Sequence, residues 1–175
     1  MDRVEQLRIK LGAPSERAQS KVLDSMTESI QNFIKKSPFA ILSTCNSAGD
    51  CDASPKGGKP GFVTVLGEKS LLIPDFDGNR LFQSYKNILS NPKAALIFMI
   101  PGKDITVRVN GHVRIVENEY FKEKEYVPNV NNSNSNLYLK RGLFLTVSES
   151  YFHCPKAFRF SDFWNVEVIE ENRRK

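Results

Sequence analysis

Ile105-Thr106-Val107-Arg108-Val109-Asn110-Gly111-His112-Val113-Arg114-Ile115 carries the clearest alternation in this 175-residue chain. Ile105, Val107, Val109, Val113 and Ile115 fall on one face, and Thr106, Arg108, Asn110, His112 and Arg114 on the other. That is the two-residue period of a strand with one side against a core. Gly111 interrupts the apolar row and predicts a bulge or a close approach of another backbone.

Working outward, the same grammar recurs. Lys93 to Ile100 is apolar on both faces and predicts a central, fully buried strand, turned into the next by Pro101-Gly102-Lys103-Asp104. Phe39-Ala40-Ile41-Leu42-Ser43-Thr44 reads as a strand, Asn46 to Asp50 as a turn and Cys51 to Ser54 as a short return strand. Pro55 to Gly61 is a loop dense in breakers, followed by strands at Phe62–Leu66 and Leu71–Ile73 around the turn Gly67-Glu68-Lys69. Leu143–Val147 and Phe163–Ile169 are the last strands expected. Hairpin-sized connections argue for antiparallel pairing rather than βαβ units. Six or more short strands with few helices predict a small closed barrel, since closure removes exposed edges.

Helical signals flank these strands. Met1 to Leu11 reads as a short amphipathic helix or loose arm. A second helix runs from near Ser15 or Asp24 to Lys36, with Ile30, Phe33 and Ile34 on one face and Pro38 blocking its continuation. Asp77-Gly78-Asn79 opens a helix bearing Leu81, Phe82, Tyr85, Ile88 and Leu89, ended by Pro92. Glu117–Glu125 and Tyr151–Phe158 read as helical, and Asn129–Asn136 as a polar loop. The organisation expected is a helical segment over 1–36 packed on one domain over 37–175.

Composition narrows the class. No apolar run approaches the roughly 18–20 residues that span a bilayer, and the charged N-terminus lacks an apolar signal core, so a cytoplasmic protein is expected. Three cysteines without CxxC spacing read as reduced thiols, and two histidines away from any cysteine pair give no zinc site. The net charge of +5 is partly terminal, in Arg173-Arg174-Lys175, and forms no basic stripe with interleaved aromatics. A small anionic ligand is expected, and neither a nucleic acid nor a membrane.

Four segments have residues suited to chemistry. In Ser54-Pro55-Lys56-Gly57-Gly58, glycines let backbone N–H groups approach an anion and the lysine supplies a compact charge. Many surface turns look the same. Asp75-Phe76-Asp77-Gly78-Asn79-Arg80 lies at a strand-to-helix junction, where a helix N-terminus favours phosphate and Arg80 adds a bidentate partner. Asp77 or Asn79 as an ordinary cap explains the same residues. On the long strand, Arg114 reads as solvated, whereas mid-strand Arg108 is placed to face a partner or ligand. His153-Cys154 are sequence neighbours, which does not put a base within reach of a thiol, so Cys154 reads as a buried structural cysteine. Trp164, the only tryptophan, reads as core or interface, with stacking on a planar cofactor the sharper alternative.

In this order, the segments resemble the pyridoxamine 5'-phosphate oxidase-like superfamily of FMN-binding split barrels, in its small FMN-dependent oxidoreductase branch. The resemblance runs from Phe39 to about Trp164. It is carried by Phe39–Thr44, Asp52-Ala53-Ser54-Pro55-Lys56-Gly57-Gly58, Pro60-Gly61-Phe62-Val63, Ile73-Pro74-Asp75 with Gly78-Asn79-Arg80, Asn87–Pro92, Ile97–Gly102, Val107–Gly111 and Phe152–Ala157.

The resemblance implies a mainly β protein with flanking helices, built on a six-stranded antiparallel split barrel. It also implies a homodimer with FMN at the interface. On it, Ser54, Pro55, Lys56 and Gly57 line the ring and ribityl chain, Asn79 and Arg80 hold the phosphate, and Arg108 and Trp164 sit near the site. The activity implied is hydride transfer between bound FMN and a small substrate or nicotinamide donor. A non-catalytic flavin- or haem-binding split barrel, with His153 as haem ligand, and a deazaflavin-dependent reductase are the alternatives. Pyridoxamine phosphate oxidases carry further arginines and a C-terminal substrate segment, whereas only Glu170-Glu171-Asn172-Arg173-Arg174 and Lys175 follow the last expected strand, so oxidation of pyridoxamine phosphate itself is not expected.

Overall fold

A computed structural model describes residues 2–76, 81–123, 126, 139 and 141–174. Three helices lead the chain: α1 (Arg3–Leu11), α2 (Glu16–Ser20) and α3 (Glu28–Lys36). The strands β1 (Phe39–Cys45), β2 (Cys51–Gly57), β3 (Thr64–Gly67) and β4 (Ser70–Asp75) follow, then α4 (Gln83–Ser90). The remainder comprises β5 (Lys93–Met99), β6 (Thr106–Glu117), α5 (Asn118–Glu123), β7 (Arg141–His153), α6 (Lys156–Phe160) and α7 (Val166–Arg174).

The strands form one antiparallel sheet in the order β2-β1-β5-β6-β7-β4-β3. The strand count is therefore seven rather than six, and the sheet is not closed through a β2–β3 pairing. Both edges are poor templates for further pairing. β3 has only four residues and an irregular register, and β2 carries Pro55 on an edge, where its missing N–H costs no ladder bond.

Three expected elements differ. The segment Phe163–Ile169 is not a strand, because Asn165 starts α7: its side chain accepts from Glu167 N at 2.9 Å and its carbonyl from Ile169 N at 3.0 Å. The β-branched residues there have no sheet neighbour, so local capping outweighs strand propensity. Tyr151–His153 continue β7, since the twelve-residue β6 offers partners as far as Thr106 opposite His153, and helix resumes only at Lys156. The presumed loop at Pro55 is strand through Gly57.

The predicted apolar face of β6 points into the core, where Val107, Val109 and Val113 meet Leu96, Phe98, Leu143 and Leu145. Helix α3 closes this core with Ile30, Phe33 and Ile34, while no residue of α1 is buried. A smaller core of Leu72, Val116 and Phe121 lies under α5. At Gly111 the register shifts, leaving Ser148 as the extra residue on β7, and a Cβ there would run into the Thr146 carbonyl. Both features expected of that glycine are present.

β5 is central but not buried on both faces. Ala94, Leu96 and Phe98 are buried, while Ala95, Ile97 and Met99 are only half-buried. Pairing places Ile97 beside Ile41, and Ile41 beside Pro55, with Phe39 between Met99 and Gly57. Apolar residues thus cover part of the sheet's outer face.

The expected loop Asn129–Asn136 and the residues Asp77, Gly78 and Asn79 lie outside the described residues; α4 starts later than expected, at Gln83, because Phe82 is left-handed and leaves Leu81 outside the helix. No described helix is long and apolar enough to cross a membrane.

Candidate functional site

The strand period divides the Ser54–Gly57 segment. Ser54 and Lys56 lie opposite Leu42 and Ala40 and share their inward face, whereas Pro55 and Gly57 share the outward face of Ile41 and Phe39. The inward residues of β2 meet α4 and the end of β4. Asp52 Oδ2 accepts from the Ser84 hydroxyl at 2.6 Å, and Lys56 Nζ lies 3.4 Å from Asp75 Oδ1.

Helix α4 is seated by Ile88 in the core, by Asn87 Nδ2 donating to Thr44 Oγ1 at 3.0 Å, and by Asn91 Nδ2 donating to the Cys45 carbonyl at 3.0 Å. Its first turn then carries Tyr85 to Asp75, where the phenol donates to Oδ2 at 2.8 Å. Burial, then the Asp75 charge, push the Tyr85 pKa above the ordinary tyrosine value, so the phenol remains a donor.

Asp75 pairs in register with Arg141 on β7. The Arg141 guanidinium lies 5.2 Å from the Phe82 ring centroid and 5.7 Å from that of Tyr85. Two cations, Lys56 and Arg141, therefore converge on the start of α4, with Asp75 beside Lys56, Glu117 in register with Arg141 and Asp52 on Ser84. That helix begins at Phe82 in a left-handed conformation (φ 55°) and has no side-chain cap. Uncapped N–H groups and two nearby cations are donors of the kind a phosphate requires. Residues 77–80, with Asn79 and Arg80 among them, follow β4 in the sequence and lie outside the described residues.

Arg108 is elsewhere. It projects from the outer sheet face, donates to the Tyr151 hydroxyl at 2.9 Å and lines an open groove of about 790 Å³ with Ser43, Ala53, Ala95, Asn110 and His112. Trp164 donates its indole N–H to the Lys103 carbonyl at 3.0 Å and packs with Phe158 and Phe163. The six described residues of the eight expected at the site are thus not one cluster within the chain. Ser54 and Lys56 face α4, Pro55, Gly57 and Arg108 face outward, and Trp164 sits on the 101–104 turn.

Cys154 is exposed, which corrects the expectation of a buried structural thiol, because β7 ends at His153 and the chain turns outward at Pro155. His153 has a buried Nε2 without a partner. Burial, then the charges of Arg108 and Lys21, hold its pKa below the ordinary histidine value. Arg141 and Tyr85 carry weight in the α4 corner that the sequence did not signal. Arg141 belongs there only through its register with Asp75, which no local pattern encodes.

A sheet of this order with an anion-suited corner at the β4–α4 junction defines a class of small β protein with flanking helices. The family model described as pyridoxamine 5'-phosphate oxidase matches residues 26–154, and the chain belongs to that family. Comparison with curated protein sequences gives no match. Among solved structures, a provisionally named pyridoxamine 5'-phosphate oxidase of Lactobacillus delbrueckii is 22% identical, with a TM-score of 0.55 over 74% of this chain and 95% of that one. HupZ of Group A Streptococcus is 16% identical, with a TM-score of 0.53 over 71% of this chain and 91% of that one. A nimc/nima family protein of Clostridium acetobutylicum is 22% identical, with a TM-score of 0.50 over 72% of this chain and 86% of that one. At these identities the likeness is one of fold.

Proposed function

We propose that the protein binds FMN and works as an oxidoreductase, exchanging hydride with a nicotinamide donor or a small substrate. The observation that carries this reading is the convergence of Lys56 and Arg141 on the uncapped start of α4, in a chain of this family. FMN supplies the redox chemistry when bound; the protein supplies binding, orientation and electrostatics. Lys56, Arg141, Asn79, Arg80 and the first-turn N–H groups of α4 hold its phosphate, and Ser54 lines the approach from β2. Asp75, anchored by Tyr85, fixes the Lys56 ammonium at the corner.

The second part of the proposal is a homodimer. Phe39, Ile41, Ile97, Met99 and Pro55 form its apolar centre, and Arg108 and Trp164 approach the cofactor from one subunit or the other.

The visible spectrum of the purified protein, followed by FMN titration, tests this directly. Flavin bands and reduction by a nicotinamide under anaerobic conditions are expected. Arg80→Ala should weaken FMN by about 1.5–3 kcal/mol, the scale of a charge-assisted hydrogen bond. A colourless protein that ignores added FMN, or one showing only a Soret band, overturns the proposal.

A further inference from the structure

Two of the three cysteines face each other across the β1–β2 hairpin. Register pairs Cys45 with Cys51, the last pair before the turn, on the outward face of the sheet. The turn is tightly organised. Asn46 N donates to the Asp50 carbonyl at 2.9 Å and Gly49 N to the Asn46 carbonyl at 3.1 Å, with Gly49 at φ 97°. The Asn46 side chain adds a 2.9 Å bond from Nδ2 to Asp50 Oδ2, and its Oδ1 accepts from Ala48 N and Asp50 N at 2.9 Å each.

Because Asn46 and Asp50 are joined by a ladder hydrogen bond, the next pair outward is of the non-hydrogen-bonded kind. Such pairs have Cα atoms about 4.5 Å apart and side chains in closest approach. That separation lies at the near end of the roughly 4.4–6.8 Å window a disulfide needs. Cys51 is exposed and Cys45 half-buried. Cys45 Sγ donates to the Asn46 carbonyl at 3.5 Å, and the adjacent Cys51 thiol, then burial, push its pKa above the ordinary value, so it holds its proton while Cys51 is the thiol open to reagent.

We propose that Cys45 and Cys51 form a thiol–disulfide exchange site that reacts with low-molecular-weight disulfides. The Cys51 thiolate attacks one sulfur of the small disulfide, forming a mixed disulfide and expelling one small thiolate. Cys45 then loses its proton and attacks Cys51 Sγ, closing the protein disulfide and releasing the second small thiolate. The two protein thiols are oxidised, the small disulfide is reduced to two thiols, and no other oxidant is needed. An exposed bridge across a preformed turn belongs to the labile class of disulfides, so excess reducing thiol reverses it. The pair borders the outer groove beside Asp52, Asn91 and His112, at the end of β1 opposite to Phe39, about 20 Å along the strand. Arg108 lines the same groove, but the exchange itself draws on no flavin, since the small disulfide is the oxidant.

The experiment equilibrates the purified full chain with oxidised glutathione, alkylates the remaining thiols and maps tryptic peptides by mass. Cys45 and Cys51 share the peptide 37–56, whereas Cys154 lies on another. The expected product is a 37–56 peptide that carries neither alkyl group nor glutathione and has lost the mass of two hydrogens. Excess dithiothreitol should restore both alkylation sites. In Cys45→Ser, which lacks the resolving thiol, glutathione should remain trapped on Cys51. Alkylation of both cysteines after oxidation, or a stable glutathione adduct on either in the wild type, overturns the proposal. An adduct trapped in Cys51→Ser but not in Cys45→Ser overturns the assignment of the attacking thiol.

Discussion

The Tyr85 hydroxyl donates to Asp75 Oδ2 across 2.8 Å, joining the first turn of α4 to the last residue of β4. The bond spans the chain segment that contains residues 77–80. It also occupies one oxygen of the carboxylate whose other oxygen faces Lys56. Tyr85→Phe removes the donor and leaves a half-buried carboxylate oxygen without it. We expect a loss of about 1.5–3 kcal/mol in stability, the range for hydrogen bonds to charged groups. Urea unfolding should show a lower midpoint at unchanged slope, and a midpoint equal to wild type would show that the bond contributes nothing.

Lys56 and Asp75 should respond in opposite directions when FMN is titrated. Lys56→Ala removes a phosphate-side cation and should weaken binding by about 1.5–3 kcal/mol. Asp75→Asn removes the carboxylate paired with Lys56 and should tighten binding or leave it unchanged. Fluorescence quenching of FMN reads both, and equal weakening in the two variants would mark the pair as structural.

His153 predicts an acid-sensitive component of stability. Its pKa is depressed in the folded chain, by burial first and then by Arg108 and Lys21. Above the unfolded histidine value of about 6.5 both states are neutral and no penalty exists. As pH falls through that value the unfolded chain binds a proton that the folded chain resists, so stability declines until the lower folded pKa is reached. Thermal unfolding of His153→Gln should therefore fall less steeply between pH 7 and pH 5 than wild type. Parallel curves would remove His153 from the account.

Gly111→Ala places a methyl against the Thr146 carbonyl and the Leu145 side chain, where β6 and β7 shift register. Backbone must move to admit it. A cost of about 1–3 kcal/mol is expected from overpacking, measured by chemical denaturation. A fully stable alanine variant would mean that the bulge relaxes freely.

Ile41→Asp introduces a charge at the centre of the outward apolar patch, between Pro55 and Ile97. Sedimentation velocity should show a dimer for wild type and a monomer for the variant. A variant that stays dimeric would place the interface on another face.

Much of the fold was legible in the sequence because its cues are local. The alternation of β6, the turn residues at 46–50, the apolar face of α3 and Pro92 after α4 each act within a few residues. The errors also have local causes. Phe163–Ile169 has strand composition, yet Asn165 caps a helix there, and β7 outlasts its apolar run because β6 supplies partners as far as Thr106. The site was less legible. Ser54-Pro55-Lys56-Gly57 reads as one unit in sequence, but a two-residue period sends its members to opposite faces. Arg108 and Trp164 are each well placed, but for different surroundings.

The sequence by itself determined where strands, turns and the α3 face arise, because side-chain alternation and backbone restriction are properties of neighbouring residues. Only the tertiary structure decided that Lys56 meets Asp75 nineteen positions away, that Arg141 lies opposite Asp75, and that Cys45 faces Cys51. Those meetings depend on strand order and register. Both follow from which apolar faces can be buried together, a condition on the whole sheet that no short segment contains.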